Sequence, residues 1–377
     1  MGSRLLRRLS AWLALLALLA PAAEAGVAVR VLIAEGKPSL GVASPGGLTI
    51  TDTTGRRVVL QRAGGGAARL QRQRQAVFVR EAGAALPVAL VWPGHLPTVM
   101  LDGQAYRGRL EVHPLNGGLS VVNVVDLEDY LQGVIKDEIP PGWPTEAAKA
   151  MAIAARTYAV FSLRQSPGGL FHLRATTASQ VYGGAGNEDP RTSWAVQATR
   201  GRILTFGGEP LPALYHSCSG GATEDGPDVF GVNFDMLVGV KDDFSRGCPH
   251  ALWVERLWPA QIERALSQAG HRVSGLRDIR PLLRSRTGRV LRLAVEHQHG
   301  QLTLEGRRFR EAVGNDTIRS TDFEVQADGR SFAFVGRGWG HGVGLSQWGA
   351  KEMADLAYQH PDILKFYYPL ARLGTLP

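Results

Sequence analysis

The sequence predicts an α+β fold: a mixed β core packed on a long buried helix, with an N-terminal β-rich module. Three observations lead there. Residues 26 to about 112 are short runs of β-branched and alternating apolar residues, broken by glycine and proline. One later segment, TEAAKAMAIAARTYAVFSLRQ from Thr145, is apolar almost all the way round, as a helix buried on every side must be. Strand-like sequence then returns in VLRLAVEH and QLTLEG.

In chain order, Arg4, Arg7 and Arg8 precede the apolar run AWLALLALLA and the small-x-small site Ala23-Glu24-Ala25. This is the layout of a secretory signal peptide over residues 1–25, with a mature chain starting near Gly26 and exported to the periplasm, cell wall or medium. The run is shorter than the ~20 residues a bilayer crossing takes. No long apolar stretch follows, so no transmembrane segment is expected after removal of the leader.

The runs VAVRVLIA, GLTITD, RRVVL, AVFVRE and PVALVW make the β-rich module of residues 26–112. The main domain follows over 113–377. In it the strand GLSVVNVV leads into DLEDYLQGVIKDEIP. Asp126 caps a helix whose apolar face carries Leu127, Tyr130, Leu131 and Val134, and Ile139-Pro140-Pro141 stops it with Glu138 at its end. The long helix begins at Pro144-Thr145. A segment of about 256–325, with helix-like WPAQIERALSQAG and the two strands named above, has the character of an insertion.

Formal net charge is +8, and loss of Arg4, Arg7, Arg8 and Glu24 with the leader lowers it to +6. A modest positive charge suits an anionic polymer, and the absence of a dense basic block argues against nucleic acid. Two cysteines, Cys218 and Cys248, in an exported chain read as one disulfide closing a loop of 29 residues, a link worth roughly 3 kcal/mol. Their flanks, His216-Ser217-Cys218 and Cys248-Pro249-His250, leave tetrahedral zinc open as an alternative, beside free thiols.

Several residues invite chemistry. Glu138 sits at the negative end of a helix dipole beside Asp137, Ile139 and Trp143, surroundings that raise a carboxyl pKa toward that of a general acid. Arg156 lies inside the apolar helix and needs a carboxylate or carbonyl partner, which makes it structural. The segments ATTASQVYGG and LYHSCSGGATED are small and hydroxyl-rich, but SCSGG lacks the G-x-S-x-G spacing of a serine nucleophile. GRGWGHGVGLSQWGA, with His341 among its glycines, lacks GK[ST] and is no phosphate loop. Its glycines predict a tight loop running into a helix.

Taken together, DLEDYLQGVIKDEIPPGWPTEAAKAMAIAARTYA, SQVYGG, YHSCSGGATED and GRGWGHGVGLSQWGAKEMA resemble the SpoIID/LytB family, in the family's order and over residues about 118 to 358. The resemblance implies a lytic transglycosylase of peptidoglycan glycan strands, with Glu138 as catalytic acid and base. It also implies that Gln180, Tyr182, His216, Ser219, Thr223, Glu224 and His341 line the glycan cleft. No cofactor is implied. Some members hold zinc with cysteines and a histidine just before the QVY motif; here FHLRATTASQVY has no cysteine, so no metal is expected. Met236 stands where an aromatic residue is expected, which weakens sugar stacking there. The family also contains amidase enhancers, which keeps open a non-catalytic wall-binding role with a cell-wall amidase as partner.

Overall fold

The computed structural model describes residues 26–232 and 234–376, so the expected signal peptide, residues 1–25, lies outside the described residues. Helix makes up 27% and strand 36%, in several sheets that mix near and distant strands, so the fold is α+β. No described helix is long and apolar enough to cross a membrane.

The alternating segments build two sheets around one core. The first has seven strands in the order Leu173–Arg174, Ala28–Lys37, Leu119–Asp126, Arg109–His113, Ala89–Pro93, Leu48–Thr51 and Val58–Arg62. The second has six, in the order Gln104–Arg107, Thr98–Leu101, Ser39–Ser44, Gly66–Gln73, Ala76–Val79 and Ala84–Leu86. In Ser39–Ser44 the period of two buries Leu40 and Val42, and these join Ile50, Val91, Leu110 and Val112 of the first sheet in one cluster.

The first sheet runs across the boundary expected at residues 112 and 113. Ala28–Lys37 pairs antiparallel with Leu119–Asp126, from Ala28 opposite Asp126 to Lys37 opposite Leu119. Arg109–His113 pairs with the other edge of the same strand. Leu119–Asp126 is buried along nearly its whole length because it is hydrogen-bonded on both edges. The N-terminal strands and the strand that launches the first helix therefore share one backbone ladder.

The helices are α1 (Leu127–Glu138), α2 (Thr145–Gln165), α3 (Pro190–Ala198), α4 (Gly226–Phe230), α5 (Pro259–Gln268), α6 (Gly306–Val313), α7 (Gln347–Asp355) and α8 (His360–Tyr367). The side chain of Asp126 accepts from the Glu128 N–H at 2.9 Å and caps α1. At the other end Ile139 is extended and Pro140 follows, which stops the helix at Glu138. Helix α2 packs against α1, α3, α7 and α8, so nearly every side of it is covered. Arg156, fully buried in α2, is held by Glu128 of α1 through Nε–Oε1 at 2.9 Å and Nη2–Oε2 at 2.7 Å, and its other N–H groups reach the Val196 and Arg202 carbonyls. That bidentate pair locks α1 to α2.

Residues 253–334, which include the segment expected to be an insertion, have a core of their own. Trp253, Ile262, Leu266, Leu293, Phe309, Phe323 and Phe334 cluster between α5, α6 and two three-stranded sheets. Met236 is half-buried against the main core.

Candidate active site

Glu138 ends α1 at the floor of a cleft of about 800 Å³. Nε2 of Gln347 donates to its carboxylate at 3.1 Å, and the Tyr215 hydroxyl and the Val181 backbone N–H stand near enough to pull its pKa down. Burial nevertheless dominates and pushes the carboxyl up to about 7, against the pull of those donors and with help from the neighbouring Asp137 charge. A carboxyl poised there carries a proton it can give away near neutrality.

The donor direction of Tyr215 follows from the groups behind it. Gln180 is buried; it accepts from the Tyr130 hydroxyl at 3.0 Å and donates to the Tyr215 oxygen at 3.0 Å. With its oxygen already accepting, Tyr215 has its own hydrogen free to point at Glu138. A chain Tyr130–Gln180–Tyr215–Glu138 thus orients the acid.

Residues 336–350 close the opposite wall. Tyr215–His216 pairs in parallel with Leu345–Ser346, and Cys218 exchanges both backbone hydrogen bonds with Trp339 at 2.8 and 3.0 Å. Gly338, Gly340, Gly342 and Gly344 all take positive φ, so every second residue of the loop is a glycine by backbone demand. At Gly340 a Cβ would stand 2.6 Å from the His216 Cβ, and at Gly342 it would strike the Arg289 guanidinium at 2.4 Å. Ser346 then caps α7 by accepting from the Gly349 N–H at 3.3 Å, and the first residue of that helix is Gln347.

His341 lies in the cleft wall, its ring 5.5 Å from His216 and 5.4 Å from Phe230. Its Nδ1 accepts from the Val343 N–H at 3.1 Å, and the ring also bonds the Tyr215 backbone. Burial, reinforced by the Arg310 and Arg289 charges, brings it down to about 3, so it is neutral at physiological pH. His216 is likewise buried and held well below the usual range, with Nδ1 on the Val343 carbonyl at 3.2 Å. Neither ring is a proton donor near neutrality; both brace the wall.

Of the residues expected in the cleft, Glu138, His216 and His341 line it. Gln180 stands one layer behind, acting through Tyr215. The other four do not line it. Tyr182 is buried under α1, its ring 4.9 Å from Tyr130 and its hydroxyl donating to Asn123 at 2.9 Å. The Ser219 hydroxyl donates to Asp242 at 2.7 Å inside a buried network with Ser245 and Ser346. Thr223 accepts from the Val240 N–H at 2.8 Å, and Glu224, fully buried, is held by the hydroxyls of Ser285 and Thr287. Their polar atoms are spent on holding loops together. Tyr215 and Gln347 were missed, although each adjoins a motif residue: Tyr215 precedes His216 in YHSC, and Gln347 follows the glycine loop.

Cys218 and Cys248 form a disulfide with their Cα atoms 6.5 Å apart. The alternative zinc set is not assembled, because the sulfurs are joined to each other and His250 accepts from Arg319 at 3.2 Å. Glu224, Asp225 and Asp228 are close enough together to share a cation. Glu224 is engaged by the hydroxyls above and Asp225 by the Gly239 N–H at 2.7 Å, so their hydrogen bonds are structural.

Residues 115–206 match the stage II sporulation protein family. Stage II sporulation protein D of Bacillus subtilis (strain 168) is 31% identical over 265 residues, which are 66% of this chain and 74% of that protein. The chain belongs to the SpoIID family. An uncharacterised protein of Brachyspira hyodysenteriae is 31% identical over 269 residues, 71% of this chain and 72% of its own length. The amidase enhancer of Bacillus subtilis is 28% identical over 287 residues, covering 63% of this chain but 39% of that protein. Residues 243–344 match a domain family of unknown function and span the inserted segment. Within this SpoIID-family chain, Arg310, Asn315 and Asp316 of the insertion line the same cleft as Glu138.

Proposed function

We propose that this chain is an exported lytic transglycosylase that cleaves peptidoglycan glycan strands after N-acetylmuramic acid, with Glu138 as the single general acid and base. The observation that carries the reading is Glu138 itself: a carboxyl pushed up to about 7 in an open cleft, oriented by Gln347 and Tyr215. Membership of the SpoIID family and the leader-like residues 1–25 support a site of action in the cell wall.

In this reading Glu138 gives its proton to the glycosidic oxygen as the bond to C1 breaks. The resulting carboxylate takes the proton of the sugar's C6 hydroxyl, and O6 closes on C1 to leave a 1,6-anhydro end and a protonated Glu138. No water is consumed. The nucleophile is part of the substrate, and its effective concentration is high, so the second carboxylate of a hydrolysing glycosidase is not needed. Tyr158, Tyr215 and Trp339 line the cleft, and aromatic rings are suited to pack against sugar rings.

A relative named as an amidase enhancer favours a second reading, a non-catalytic wall-binding protein that stimulates a cell-wall amidase. Digesting purified glycan strands with wild type and with Glu138→Gln, followed by mass spectrometry, separates the two. The transglycosylase reading expects anhydromuramic ends from wild type and a loss of about 10²–10⁴-fold in the variant. Wall binding by both proteins without such ends, together with faster release of peptides by an added amidase, points to the second.

A further inference from the structure

Two cavities meet beside His341. One is the cleft that holds Glu138; the other, of about 1070 Å³, runs along the inserted segment, and Phe230, Arg310, Asn315 and His341 line both. Arg310, on α6, therefore stands at their junction. Its Nε donates to the Ile318 carbonyl at 2.8 Å and Nη2 to the Asn315 carbonyl at 3.3 Å, so the turn after α6 fixes the plane of the guanidinium. Nη1 has no acceptor among the described residues.

The charges around Arg310 are largely matched elsewhere. Glu311 is taken by Arg307 and Arg308 at 3.2 and 3.0 Å. Arg292 lies directly across the strand pair from Glu305. Asp228, on the far side of the groove, belongs to the Glu224–Asp225–Asp228 cluster. Glu311 and Asp316 act on Arg310 through their fields alone, and among the described residues no ion pair includes Arg310. Burial and the Arg289 charge bring its pKa down to about 10, so it remains cationic at neutral pH. A largely buried cation without a carboxylate is costly, and an anion from outside would complete it. Two carbonyls already fix the fork, which favours a planar, two-oxygen partner.

We propose that Arg310 is an anion receptor built into the glycan site, taking a carboxylate carried by the substrate next to the bond that is cut. This rests on the cleft being a glycan site. It assigns the inserted segment, whose matching family has no known function, a part in choosing the substrate. A carboxylate on the lactyl ether of muramic acid and one on an attached peptide share this chemistry.

Calorimetric titration of Glu138→Gln and of Glu138→Gln/Arg310→Gln tests it. The ligands are glycan oligomers with free lactyl carboxylates, their methyl esters, and peptide-bearing oligomers with and without esterified peptide carboxylates. Glu138→Gln is expected to bind one free acid tighter than its ester by roughly tenfold to a hundredfold, and the added Arg310→Gln to erase that preference. A preference found in the lactyl pair assigns the carboxylate to the sugar, and one found in the peptide pair assigns it to the peptide. A preference that survives Arg310→Gln, or none in Glu138→Gln, overturns the proposal. Should the double variant not fold, salt decides: added salt must weaken acid binding and leave ester binding nearly unchanged, and a salt-independent preference overturns the proposal. Cleavage plays no part in these titrations. An inactive wild type with acid-selective binding would sink the enzyme reading alone, and an active one without it would sink the receptor alone.

Discussion

At the scale of single residues, Glu138 has a consequence for stability as well as for the proposed catalysis. Its folded pKa, about 7, lies above the ordinary 4.5. Folding therefore favours its protonated form, and the stability this contributes is complete below pH 4.5 and is lost as pH rises to about 7. Thermal denaturation of wild type and Glu138→Gln across that window should show the variant gaining, relative to wild type, on the order of 1–3 kcal/mol by pH 8. Tyr215 works in the opposite sense, because a donor to the carboxylate lowers its pKa. In Tyr215→Phe the alkaline limb of the pH–rate profile, expected near pH 7, moves up by roughly one unit. A profile that stays put would remove Tyr215 from the acid's surroundings. These residues show the limit of reading a site along the chain. Glu138, at a helix end before two prolines, is legible from its neighbours. Tyr215 and Gln347 act on it only because distant segments converge, and no spacing along the sequence reports that. Ser219, Thr223 and Glu224 look like ligands in one dimension because buried loop junctions use the same hydroxyls and carboxylates that sugar sites use.

At the scale of elements, caps and breakers are local, so α1, α2 and the helix after the glycine loop are legible from Asp126, Pro144 and the run after Leu345. The glycine loop is where element geometry and site meet. Gly340 needs a φ of +114° and leaves no room for a Cβ against His216. Gly340→Ala should destabilise the fold by about 1–3 kcal/mol, measured by chemical denaturation. It should also lower glycan cleavage below 37 °C, where the fold persists, because the loop delivers Gln347 to Glu138. A variant as stable and as active as wild type would show that the loop is free to move away. What could not be read at this scale was pairing: nothing local in Ala28–Lys37 says that it lies beside Leu119–Asp126, since register between distant strands is set by the whole sheet.

At the scale of the whole molecule, one disulfide ties the site to the insertion. Cys218 follows Tyr215 and His216, and Cys248 precedes the strand Trp253–Leu257 that enters the second core. Reduction should cost about 2–4 kcal/mol, seen as a lower midpoint of denaturation with dithiothreitol and unchanged by zinc chelators. A midpoint indifferent to reductant would mean that the link constrains nothing. The cleft is a product of this assembly, with its acid on α1, its donors on the strand at Tyr215 and on α7, and part of its wall from the insertion. The burial that lifts Glu138 is therefore the signature of the assembled cleft, and direct titration of that one carboxyl reads it. With glutamate labelled in its side-chain carboxyl carbon and Glu138→Gln used for assignment, NMR across pH 3–9 should show Glu138 titrating near 7. A titration at the ordinary value of about 4.5 would contradict the account, because Glu138 would then hold no proton to give at neutral pH.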